Sequence, residues 1–277
     1  MVLQVSSRAS ARRAPLLAIY AALVFIFIYL PIVVLILYSF NRDGVGGFPP
    51  RHLTLDWYRQ LFADGPIWDA VLNSLIVATA SVALSLTLGL LAALALDRAA
   101  FPGKALFRRL VLLPLILPGI ITGLSLLMFA VIAGFQRSLT LVFFGHGTAL
   151  ISVATTEIFA GLQKMDRAQE EASLDLGATP WQTFWRVTLP NLRLSLIAAG
   201  LLTFTLSMDE LAVTYFLIGS ENTLPQEIWG RQRRGITPEI NAVSTLIFAV
   251  SVALIMIWYR VRTRGLGAEA QELLERP

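Results

Sequence analysis

The sequence predicts an all-α, polytopic membrane bundle of six transmembrane helices, on three observations. Of 277 residues, 56% are hydrophobic and only 14% charged, where a soluble domain carries nearer a quarter. Mean hydropathy is +0.69. Six apolar runs each reach the roughly 20 residues that a bilayer crossing needs: Leu16–Phe40, Val71–Leu96, Leu110–Ala133, Leu139–Leu162, Leu194–Ile218 and Ile240–Tyr259. The fourth carries His146, Glu157 and several threonines, so five spans is the alternative count.

The first run follows Arg8, Arg12 and Arg13, as a signal peptide would. It is too long for one and no small-x-small cleavage site follows, so an uncleaved anchor is expected. Pro31, Pro114 and Pro118 lie inside apolar runs, which membrane helices tolerate where neighbours satisfy the freed backbone groups. Fifteen of the 22 lysines and arginines fall on the side of the N-terminus and seven on the other. The positive-inside bias therefore places both termini in the cytoplasm. Asn41–Asp69 and Gly219–Glu239 are then external and Gln163–Arg193 internal, and the polar tail Gly265–Pro277 is expected to fray.

Several chemistries are disfavoured. There is no cysteine, and the two histidines, His52 and His146, are far apart, so no metal site is expected. The pI near 9.8 follows from topology, and nucleic acid is not an expected partner. Gly103-Lys104 lacks the glycine and hydroxyl residue of a phosphate-binding loop. No Gly-x-Ser-x-Gly turn exists, which leaves an intramembrane enzyme without a nucleophile.

The internal loop is the most informative segment. Asp166 with Gln169 suggests one capping box, and Thr179-Pro180-Trp181-Gln182 is a fuller one. Gly177 sits where a helix would end in a left-handed residue, and Pro190 is expected to reset direction before the fifth span. Trp181, Phe184 and Trp185 fit either a membrane-interface belt or anchors for a groove on a soluble partner.

Glu171-Ala172-Ser173, three residues, Gly177, nine residues, Val187, one residue and Leu189-Pro190 resembles the EAA loop of ABC importer permeases. Tyr38-Ser-Phe-Asn41, Thr122-Gly-Leu-Ser125, Leu206-Ser-Met-Asp-Glu210 and Arg234-Gly-Ile-Thr-Pro-Glu-Ile-Asn-Ala242 are similar to the polyamine (spermidine/putrescine) branch. The resemblance covers roughly residues 16 to 262 and departs from the pattern at Gly134–Glu157. It implies a type I importer permease fold over residues 1–277 as one domain, in the bacterial inner membrane, forming half of a translocation pathway. It also implies docking of the EAA segment on ABC ATPase subunits, with Trp181, Phe184 and Trp185 as anchors. A second homologous permease, a periplasmic solute-binding protein and a small cationic solute complete the implied partners. The chain itself would be non-catalytic and bind no cofactor, ATP being held by the partner subunit.

Within the fifth run, Gly200, Thr203, Ser207, Glu210 and Thr214 form a small, polar stripe at helical spacing, suited to lining a hydrated route for a cation. Asp209 points about 100° away on such a helix. A structural role for both acids is the competing reading. His146 fits a helix-to-helix hydrogen bond or a proton relay, and Glu157 fits snorkelling or an ion pair. Arg231, Arg233 and Arg234 fit a solvated face or a patch for an acidic partner. Rival functions are import of another small solute and, more distantly, ion-coupled secondary transport, which leaves the internal loop unexplained.

Overall fold

In lipid every backbone N–H and C=O must be satisfied within the protein, so long apolar runs become helices. The computed structural model describes residues 5–43, 49–50, 52–235, 238–253 and 256. Its helices are α1 (Val5–Ser39), α2 (Asp56–Ala63), α3 (Gly65–Arg98), α4 (Lys104–Leu112), α5 (Gly119–Ile132), α6 (Leu139–Lys164), α7 (Ala168–Asp175), α8 (Pro180–Thr183), α9 (Leu189–Asp209), α10 (Ala212–Leu217) and α11 (Leu224–Arg234), followed by α12 (Pro238–Ala253). The chain divides into two compact units, Gly65–Gly230 and the described parts of Met1–Asp64 with Arg231–Pro277.

In the unit Gly65–Gly230 the core lies where α3, α6 and α9 pack. Ala93, Ala154, Ile158, Leu162, Leu192 and Ala199 form its inner cluster, and Val77, Val142, Val213, Leu217 and Ile218 a second one. Lipid tails are as apolar as leucine, so helix association depends on close backbone approach, and alanine supplies it.

Among the described residues, four helices are long and apolar enough to cross a membrane: Leu17–Ser39, Gly65–Arg98, Leu139–Lys164 and Pro180–Asp209. The expected third span is broken. Lys104–Leu115 and Gly119–Ile132 meet at a bend of 107°, because Pro114 and Pro118 remove two backbone donors within five residues. The expected fifth span is also revised at both ends. It begins at Pro180 and stops at Asp209, and Glu210 is extended (φ −75°, ψ 111°) before α10. The expected sixth span is described through Ala253 and at Met256; its remainder and the tail Gly265–Pro277 lie outside the described residues.

Pro190 does not reset the chain's direction. Phe184–Thr188 widens into a π turn just ahead of it, relieving the clash a proline ring makes with the carbonyl four residues earlier. The helix then continues through Pro190.

In the other unit, the residues after α1 are tied together by hydrogen bonds. Trp57 Nε1 donates to the Asn41 carbonyl at 2.9 Å, and Ser39 Oγ lies 2.7 Å from Tyr58 Oη. Asn41 forms an isolated bridge with Leu53. The Tyr38-Ser-Phe-Asn41 motif thus fastens α1 to α2.

Candidate functional site

The segment between α6 and α9 forms largely as its caps dictate. Thr179 and Gln182 make the reciprocal capping box at the start of α8. Asp166 caps α7 differently from the expected box, its Oδ1 accepting from Ala168 N at 3.0 Å. Gln169 instead turns toward Asn191 at 2.8 Å. Gly177 adopts φ +84°, the left-handed geometry of a helix end.

Trp181, Phe184 and Trp185 cluster, with ring centroids 5.4–5.9 Å apart. Trp181 and Trp185 are exposed, as is Leu176 at 89%. Glu171 and Ala172 are exposed too, while Ser173 Oγ sits 3.1 Å from Thr183 Oγ1 and ties α7 to α8. Val187 and Leu189 are half-buried beside the π turn, and Pro190 is exposed.

Six polar side chains to which the sequence assigns no structural role seat this segment. Arg98 donates to Glu170 at 2.5 Å, and Thr188 Oγ1 donates to the same carboxylate. Asp97 accepts from Gln163 at 2.5 Å and from Arg167 at 3.0 Å. Glu170, rather than its neighbour Glu171, therefore pins α7 to the C-terminal end of α3. The signal in the sequence is the Asp97-Arg98 pair that closes an apolar run.

The second locus is where the two broken helices meet. A cleft of about 290 Å³ is lined by Pro114, Gly119, Thr122, His146, Leu206 and Glu210, among others. Glu210 Oε1 accepts from Val213 N at 2.9 Å and so caps α10, and its carbonyl accepts from Thr214 Oγ1 at 2.9 Å. Gly123 lets α10 reach α5: a Cβ there would lie 3.0 Å from Val213 Cα. His146 is buried on α6 and holds both sides of the break, Nδ1 at 2.9 Å from Ser207 Oγ and Nε2 at 2.9 Å from Thr214 Oγ1.

The polar stripe is consequently an interior seam. Thr203 and Thr214 are fully buried and Ser207 nearly so, and Thr203 Oγ1 donates back to Ala199 O at 2.8 Å. Glu210 is half-exposed on the cleft and Asp209 exposed, so the break separates two acids that a straight helix would have set by its pitch.

The arginine run divides as well. Arg231 grips Asp64 through two bonds, 2.6 and 2.9 Å, with Glu239 at 3.6 Å. It is a strut within the subunit, leaving Arg233 and Arg234 as the exposed members.

A family model described as the inner membrane component of binding-protein-dependent transport systems matches residues 85–266. The chain belongs to that family. Among relatives of this permease is the putrescine transport system permease protein PotI of Escherichia coli (strain K12), 35% identical over 89% of this chain and 91% of its own. The spermidine/putrescine transport system permease protein PotC of Haemophilus influenzae is 30% identical over 91% and 96%. Two solved structures share the fold. A bacterial alginate ABC transporter, in complex with an alginate pentasaccharide-bound periplasmic protein, matches with TM-score 0.68 at 18% identity, over 91% of this chain and 94% of that one. The inward-facing MetNI methionine ABC transporter matches with TM-score 0.57 at 18% identity, over 77% and 99%. The permease is therefore a multi-pass inner-membrane transport subunit and not an enzyme.

Proposed function

We propose that this permease forms half of the translocation pathway of an ATP-driven importer for putrescine- or spermidine-like polyamines. It does so as one six-span domain with both termini cytoplasmic. It pairs with a homologous permease, is driven by two ABC ATPase subunits and receives solute from a periplasmic binding protein. The observation that carries this reading is the unbroken helix Pro180–Asp209, joining an exposed aromatic platform to the cleft at Glu210. Trp181, Phe184, Trp185 and the Glu171–Pro190 segment meet the ATPase. Glu210 and Asp209 are the pathway acids, while Ser207, Thr203 and Thr214 hold the break from behind. A carboxylate beside a hydrated route favours a cation, and the polyamine relatives point to the same solute class.

Uptake by the reconstituted complex tests this. Putrescine or spermidine should be taken up in preference to neutral and anionic solutes. Glu210→Gln keeps the oxygen that caps α10 but removes the charge. It should lower polyamine kcat/KM about tenfold, near 1.4 kcal/mol, with assembly intact. Uptake of an anion or sugar, with polyamines ignored, would refute the solute assignment.

A further inference from the structure

The segment expected to open the third span does something else. α4 and the turn after it run at 107° to α5. With α5 crossing the bilayer, α4 lies close to the membrane plane. α5 has 14 residues, about 21 Å at 1.5 Å per residue, against a hydrocarbon core of about 30 Å. The shortfall matches the roughly 5–10 Å depth at which an amphipathic helix beds into the headgroup boundary.

The surface chemistry of α4 fits that position. Leu106, Leu110 and Leu113 stand at i, i+4 and i+7, and are 61%, 57% and 44% exposed. Each member of this apolar stripe is thus more than two-fifths open to the surroundings. Ala105, Arg108, Arg109 and Leu112 share another face at i, i+3, i+4 and i+7, and with Lys104 and Ile116 they border an open cleft of about 810 Å³. Its floor is apolar and its rim carries three cations.

Arg108 lies 5.8 Å over the Phe159 ring of α6, and Lys104 Nζ donates to Ala99 O at 2.8 Å. Both contacts are with uncharged groups. Among the described residues none of the three cations is paired with a carboxylate. These contacts also place the cleft at the end of α6 that leads into α7, the end opposite the α5–α6 turn.

We propose that α4 is an interfacial helix whose cleft holds an anionic phospholipid of the adjoining leaflet. The headgroup phosphate sits on Lys104, Arg108 and Arg109, and an acyl chain lies along Leu112 and Ile116. Paired positive charge above an apolar floor matches a lipid, whereas a free phosphate has no use for the floor. The site requires only that the chain sits in a bilayer, and is independent of which solute is carried.

The test is native mass spectrometry of the intact complex, purified from nanodiscs of phosphatidylcholine with one quarter phosphatidylglycerol. The wild type should retain phosphatidylglycerol in preference to phosphatidylcholine. Each charge is worth about fivefold in attraction to an anionic surface, so K104Q/R108Q/R109Q should lower retention at least tenfold. Leu112→Ser, with all three charges kept, should also weaken it. Equal retention by the triple variant would overturn the proposal. So would displacement of the lipid by millimolar inorganic phosphate, or loss of the ATPase subunit with lipid retention unchanged.

Discussion

At the scale of single residues, Gly177 is the clearest case of a position chosen by backbone geometry. It sits at φ +84° with no atom within 4 Å of an added Cβ, so a substitution there is penalised by conformation and not by crowding. Asparagine visits this region readily, and a β-branched residue does so rarely. Gly177→Val should therefore cost about 1–2 kcal/mol and reduce substrate-stimulated ATP hydrolysis by the complex, while Gly177→Asn stays close to wild type. Equal activity in the two variants would show that the turn between α7 and α8 does not set the docking geometry. The neighbouring acids teach a related point. Glu170 is seated by Arg98 and Thr188, whereas Glu171, the residue that a motif search selects, is exposed.

Among elements, the break between α9 and α10 depends on a third helix. His146 bonds a hydroxyl on each side of it. Hydrogen bonds between membrane helices are worth about 0.6–1.7 kcal/mol each. His146→Ala should thus lower the thermal midpoint of the purified complex and its transport rate together. His146→Gln, which keeps a donor and an acceptor, should recover part of both. An unchanged midpoint in the alanine variant would mean that the break holds by itself. The break also shows what the sequence could and could not reveal. The apolar runs, the Thr179 box and the Gly177 turn are local signals, and all three were legible. The segment Leu206–Leu211 contains no proline or glycine. It opens because a carboxylate caps α10 and a histidine from α6 grips both halves, contacts that only the tertiary fold creates. Likewise, hydropathy measures how apolar Leu110–Leu115 is but not which way it runs, so the end of α4 and the turn after it fall within the expected third span.

For the whole molecule, orientation rests on the asymmetry of lysine and arginine, and the absence of cysteine makes it simple to test. Asp175→Cys, at the end of α7, should resist an impermeant thiol reagent in intact cells, and Ser220→Cys, after α10, should react. The reverse pattern would invert the topology. The proposed orientation would give the long helix ending at Asp209 a mechanical meaning. Its 30 residues extend about 45 Å at 1.5 Å per residue, and α7 is riveted to it through Asn191 and Thr188. On the proposed function it would act as a lever arm, with its handle among the aromatics and its tip beside Glu210. A tilt of about 5° at the handle, pivoting there, swings the tip by about 4 Å over that length. By that geometry, a small rotation at one end would be geared into a much larger displacement at the other.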